Sequence, residues 1–439
     1  MSTNKGKEMW RRAIKSLPGG NGLLSKRPDR YAPDIWPNYY SKSCGVEVTD
    51  LDGNKYIDMA QMGIGSAILG YANKELTNAV SEVIKDGVNC TLNSPEEVLL
   101  AEKLIDLNPF AGGVRFARSG GEAMAMAIRI ARAHSGKEKV LFSGYHGWCD
   151  WYISTNLGTN DGLGEHLIPG LNTSGIPSGL ANTAIPFTYN NIENLEQTIK
   201  DNPDAGIICI EGARYDFPEK DFLDFISYIA KKKNMVIVSD EITSGWRMTD
   251  GGVYKINGFD PDIVVYAKAM GGGYAISSIV GSESVMNSAQ NTFMSSTMWT
   301  ERVGFVAALT TINILTRDKV WEHLNDIGNL IGDGWNKLSK KHNIDISITD
   351  FKPLVTMKLN YGNRNQALAT LFIQEMLKRG YLAATSVYVS YAHNKEIIKS
   401  YLKATDECFE ILSDAINNQN ELELLETKVR SDSFNRITP

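Results

Sequence analysis

Cysteine is scarce and poorly placed for cross-linking: Cys44, Cys90, Cys149, Cys209 and Cys408 are scattered over 439 residues with no CxxC pair. An odd number at such spacing argues against a disulfide framework and against a structural zinc site, and it fits a reducing cytoplasm. No metal-ligand set is expected. Long apolar runs are missing too. No stretch approaches the roughly 18 residues needed to span a bilayer. The charged start MSTNKGKEMWRRAIKS has no apolar segment behind it, so a secretory signal is not expected. A Lys/Arg tract is also lacking, and 45 basic against 51 acidic residues leave a formal charge of −6. Nucleic-acid binding through general electrostatics is therefore not expected, and neither is membrane attachment; the partner should be a small molecule.

What is present is the make-up of a globular protein, 43% apolar and 22% charged, long enough for more than one domain. Residues 17–40, rich in Gly, Pro and aromatics, read as a segment that wraps a surface or lines a mouth. Residues 45–50 and 56–59 alternate around Asp52-Gly53 and predict a β-hairpin. Helices are expected at 75–85 and from Pro95. From Val114 short apolar runs (114–117, 140–142, 207–210, 235–239, 263–266, 276–280) alternate with helical stretches, which implies a largely parallel sheet covered on both faces. The long polar stretch 148–187 reads as a functional loop. After 303 come long helices, strands at 344–348, 354–359 and 387–390, a helix at 396–416, and a polar tail expected to pack little. Strand-rich segments before 60 and after 343 predict a smaller α+β domain built from both chain termini.

The stretch DPDIVVYAKAMGGG, 260–273, places a lone Lys268 just past a buried strand and before three glycines. Ligands of α/β sheets collect at that edge, so Lys268 reads either as a reactive amine or as an exposed lysine in a turn. SGGEA at 119–123 opens a helix: Ser119, Gly120 and Gly121 would offer a hydroxyl and backbone N–H groups to phosphate, or the segment is an ordinary cap with Glu122 in its first turn. Asp240 ends another strand. Its carboxylate needs a partner, either Arg247 or the protonated ring nitrogen of pyridoxal 5'-phosphate (PLP), a cofactor that also needs a lysine and a phosphate cradle. Tyr145 and Ile242 would wall a flat ring or simply pack in the core.

Six segments, LPGG (17–20), DLDGNKYIDM (50–59), SGGEAMAMAIRIAR (119–132), YHGW (145–148), DEITSGWR (240–247) and KAMGGG (268–273), resemble class III aminotransferases of PLP fold type I, and within them the glutamate-1-semialdehyde 2,1-aminomutases. The resemblance implies a mostly parallel seven-stranded sheet flanked by helices. It divides the chain into an N-terminal segment (1–65), a large PLP-binding domain (66–318), a small C-terminal domain (319–420) and a tail (421–439). It makes Lys268 the Schiff-base lysine, puts Asp240 at the ring nitrogen, Tyr145 and Ile242 on the two ring faces, and Ser119–Gly121 at the phosphate, with His146 and Glu211 also facing the cofactor. Thr297 would reach the phosphate of a neighbouring subunit, which implies a homodimer in the cytoplasm. Arg27, Arg214 and Arg302 are candidate groups for an anionic substrate, and Trp148 for an apolar wall. Four departures bear on the reaction: Gly212-Ala213-Arg214 replaces the usual Pro-Val, Thr300-Glu301-Arg302 replaces Gly-Asn-Pro, 384–393 lacks the aminomutase glutamate, and Asn21–Ser25 departs from the usual mouth. They favour transfer between an amino donor and an aldehyde or ketone over an internal amino shift, which stands as the alternative.

Overall fold

Runs of apolar and β-branched residues form a seven-stranded sheet from β1 (Gly113–Ala117), β2 (Val140–Ser143), β3 (Ala184–Pro186), β4 (Ile207–Glu211), β5 (Val236–Asp240), β6 (Ile263–Tyr266) and β7 (Ser277–Gly281). The computed structural model describes residues 4–159, 161–164, 166 and 169–433. The strand order is β1-β7-β6-β5-β4-β2-β3. Pairs from β3 to β6 are parallel, and β7 is antiparallel to both its neighbours. Every residue of β2, β4, β5, β6 and β7 is buried, which is why these strands read as continuous apolar runs rather than alternating ones. The mostly parallel seven-stranded architecture expected from the sequence is the one observed.

Parallel strands deliver their carboxyl ends to one edge. Register pairs Glu211 with Asp240 and Asp240 with Val265. Ala117, the last residue of β1, pairs with Ser277, the first of β7, so the end of β1 shares that edge. Helix α1 (Gly120–Ser135) leaves β1 there, burying Ala123, Met124, Ala127, Ile128 and Ala131. The alanines and the unbranched Met124 let it settle closely on the strands.

These elements belong to a compact unit spanning Lys74–Glu322, and a second unit comprises Met1–Asn73 and His323–Pro439. In the second unit the expected hairpin, Glu47–Asp50 with Lys55–Met59, turns at Gly53 (φ +90°), where Asp50 accepts from the N–H groups of Asp52 and Asn54. Tyr381–Ala383 runs parallel to Lys55–Met59, so segments from both ends of the chain share one sheet. Among the described residues no helix is long and apolar enough to cross a membrane.

Three elements differ from expectation. Tyr40–Cys44 is a strand although mostly exposed and polar, because it lies at a sheet edge. The stretch read as a loop contains buried Trp151, Tyr152 and Ile153 and ends in the edge strand β3, whose proline an edge tolerates. The tail does pack, through residue 433. Glu421 takes the Arg364 fork (2.7 and 2.6 Å), fully buried Gln374 bonds Leu424 O and Glu426 N, and Ser431 N donates to Asp29 O.

Candidate active site

Four consecutive residues, 240–243, beginning with the last of β5, assemble the site. Asp240 is 4% exposed; one carboxylate oxygen meets His146 Nδ1 at 2.8 Å, the other accepts from Ile242 N at 3.0 Å. His146 Nε2 faces Ser143 O at 3.2 Å, so both ring nitrogens meet acceptors, an arrangement satisfied by the imidazolium. Burial alone disfavours that charge, but Cys209 and Asp240 outweigh it and hold the His146 pKa well above its usual value. His146 therefore acts on Asp240 from behind. Its ring is 1% exposed. Arg247, the other partner weighed for Asp240, donates to Thr243 O.

Thr243 is the residue that the sequence reading missed. Its hydroxyl accepts from Lys268 Nζ at 2.9 Å and from Arg214 Nη2 at 3.1 Å. Lys268 begins a 3-10 turn, Lys268–Gly271, at φ +39°, a region that non-glycine residues rarely adopt. Arg214 forks onto Glu211 (2.9 and 2.5 Å to Oε1), and the other Glu211 oxygen accepts from Tyr145 N at 3.1 Å. Burial works against the Glu211 anion, yet Arg214 prevails and holds its pKa below the usual carboxylate range. The guanidinium also lies 5.8 Å from the centre of the Tyr145 ring. Lys268, Asp240, Tyr145, Ile242, Glu211 and Arg214 are thus linked through one short loop.

At the start of α1 Glu122 serves as the cap of SGGEA, and the two glycines form the first turn. Glu122 folds back to accept from Ser119 N (2.9 Å) and Arg118 N (3.1 Å), while Gly120 and Gly121 occupy the first turn, where N–H groups have no intrahelical acceptor. A Cβ on Gly120 would lie 2.9 Å from Ile242 Cδ1, and one on Gly121 2.7 Å from Trp148 Nε1. Only glycine lets those side chains pack so closely on the helix start. Trp148, 68% exposed, therefore stands over the first turn of α1.

Other sequence candidates have partners of their own. Arg27 belongs to the second unit, 4% exposed with its fork on Asp29 (2.9 and 2.6 Å). Arg302 is taken by Glu96 (2.9 and 2.7 Å). Thr297 is exposed, on the 3-10 turn Thr297–Thr300.

The model of the class III aminotransferase family matches residues 31–352. The chain belongs to the class III aminotransferases. A 3-aminobutyryl-CoA aminotransferase of Cloacimonas acidaminovorans (strain Evry) is 30% identical over 91% of this chain and 95% of its own. A glutamate-1-semialdehyde 2,1-aminomutase of Persephonella marina (strain DSM 14350 / EX-H1) is also 30% identical, over 86% and 92%. Among solved structures, the FumI protein of Sphingopyxis sp. MTA144, in a form carrying PLP, superposes with a TM-score of 0.86 at 21% identity, covering 98% of this chain and 99% of that one. It shows the fold to be PLP fold type I.

Family membership makes PLP the cofactor, and the donor set of this aminotransferase fits it. An amine, a fixed carboxylate, a helix start whose first-turn N–H groups lack intrahelical acceptors, and the half-buried Tyr145 and Ile242 stand at one sheet edge. Behind Asp240, Glu241 is fully buried, bonded to Ser244 Oγ (2.5 Å) and Tyr254 N (3.2 Å), and burial pushes its pKa up to about 7. A Cβ on Gly212 would lie 2.6 Å from the Glu241 carboxyl. The departure from Pro-Val at this point therefore has a steric partner.

Proposed function

We propose that this aminotransferase moves an amino group between a small, polar or anionic amino donor and an aldehyde or ketone acceptor. The observation that supports it most is the convergence of Lys268, Asp240 and the first turn of α1 through the loop 240–243. PLP, when bound, supplies the electron sink that labilises the substrate Cα proton. Lys268 Nζ, steadied by Thr243 Oγ1, takes and returns that proton. Asp240, fixed by His146 and Ile242 N, presents negative charge to a protonated ring nitrogen. The Gly120 and Gly121 N–H groups and Ser119 bind phosphate, and Tyr145 and Ile242 bound the ring. Arg214 is the cation of this set suited to a substrate carboxylate or phosphate, with Glu211 balancing its charge until the anion arrives.

We also infer a homodimer in the cytoplasm. Thr297 is exposed beside Phe293 (86%) and Met298 (55%), large apolar side chains that a second copy would cover, and the five cysteines are free. The aminomutase relative favours a second reading, an intramolecular amino shift.

A panel of amino donors added singly to PLP-loaded protein separates the two. Conversion of the cofactor to pyridoxamine phosphate with release of a keto product supports transfer. Conversion only with a 1,2-aminocarbonyl or diamine compound, and nothing released, supports the shift.

A further inference from the structure

Where the family carries Gly-Asn-Pro after Thr297, this chain has a turn fastened by a cation. Arg118 immediately precedes the Ser119 cap, and its side chain is 13% exposed. Its guanidinium serves three backbone carbonyls: Nε donates to Met298 O, Nη2 to Glu301 O at 2.5 Å, and Nη1 to Ala275 O at 3.2 Å. The cation also lies 5.2 Å from the centre of the Phe305 ring. Two of those carbonyls belong to Met298 and Glu301, within and just after the Thr297–Thr300 turn.

The same turn has a second fastening. Trp299 Nε1 donates to Glu122 Oε1 at 3.4 Å, and Glu122 Oε2 accepts from the N–H groups of Arg118 and Ser119. Glu301 then caps the helix Arg302–Arg317 through Val303 N (2.7 Å) and Gly304 N (3.3 Å) and lies 3.7 Å from Arg118. The slot is shaped for the guanidinium, since a Cβ on Gly304 would fall 2.0 Å from Arg118 Nη1. An arginine that only stabilised the fold would need no particular turn. This one fixes the backbone of a turn whose outer residues, Ser296, Thr297 and Met298, are exposed, and ties it to the helix start read as the phosphate site.

We propose that Arg118 is a positioning residue for the cofactor phosphate: by locking the Thr297 turn to the N-terminus of α1, it sets the Thr297 hydroxyl that one chain lends to the phosphate site of a second copy. The proposal rests on the reading of Ser119–Gly121 and Thr297 as phosphate groups. Lysine is no substitute, because a point charge on a flexible stem cannot fork onto three carbonyls.

The test is a titration of apo-protein with PLP and, in parallel, with pyridoxal, which lacks the phosphate. Arg118→Met should weaken PLP binding about tenfold and leave pyridoxal binding unchanged, as should Thr297→Ala. The double variant should be no weaker than Thr297→Ala alone. Gly304→Ala displaces the guanidinium without removing its charge and should reproduce Arg118→Met, even if that variant folds poorly. Arg118→Lys should restore only part of the affinity. Equal weakening of PLP and pyridoxal, or effects of Arg118→Met and Thr297→Ala that multiply, would overturn the positioning role. If Thr297→Ala leaves PLP affinity unchanged, the underlying reading of Thr297 fails and the proposal falls with it; if only Arg118→Met is silent, the proposal alone falls.

Discussion

Replacing Glu241 by Gln should make the protein more stable at alkaline pH. The carboxyl is 1% exposed, desolvated first of all by burial, with Ser244 Oγ and Tyr254 N as partners and Asp240 adding like charge. Its pKa rises from 4.5 to about 7 on folding. A folded-state pKa above the unfolded one gives stability that is fully present below pH 4.5 and lost as pH rises through 7. At about 1.36 kcal/mol per pH unit, the wild-type chain forgoes about 3 kcal/mol by pH 8. Glutamine keeps an acceptor for Tyr254 N and a donor for Ser244, and it cannot ionise. Thermal unfolding of apo-protein across pH 4.5 to 8.5 measures this. Glu241→Gln should exceed wild type by roughly 3–6 °C at pH 8 and converge with it near pH 4.5. A variant equally destabilised at every pH would refute a buried, proton-bearing Glu241.

Other expectations follow from the same contacts. His146→Gln should weaken PLP binding by reorienting Asp240, and should abolish stability that wild type holds below about pH 6.5 and loses as pH rises through the elevated His146 pKa; pH-dependent unfolding with a parallel PLP titration checks both. Gly121→Ala forces Trp148 away from α1 and should lower PLP affinity several-fold, read as a shift in tryptophan fluorescence with the PLP titration. Removing residues 421–439 leaves the buried Gln374 amide without Leu424 O and Glu426 N, at a cost of about 1–3 kcal/mol for each unsatisfied group. A truncated protein that melts like the full chain would contradict that packing.

The sheet was legible because its inner strands are buried on both faces, so apolar runs such as Val236–Val238 or Ile263–Val265 carry no competing signal. Two edge strands gave none: Tyr40–Cys44 is polar and Ala184–Pro186 is short. Lys268, Asp240 and Ser119–Gly121 stood out because each follows a strand end, where an amine, an acid or paired glycines serve packing poorly. Thr243 carried no such mark. Its role depends on two cations arriving from segments 25 and 29 residues away, and sequence spacing does not reveal that. Arg27 and Arg302 show the converse: an arginine's charge is legible, but its partner is not until Asp29 and Glu96 are seen to hold the forks.

The central claim is that Lys268, steadied by Thr243 at the carboxyl edge of the sheet, is the residue that joins covalently to PLP. Borohydride reduction of PLP-loaded protein, followed by peptide mapping, tests it most directly. The account predicts the phosphopyridoxyl group on the peptide bearing Lys268, and neither its fixation nor the yellow colour in Lys268→Ala. A label on another lysine, or a Lys268→Ala protein that keeps its colour, would contradict it.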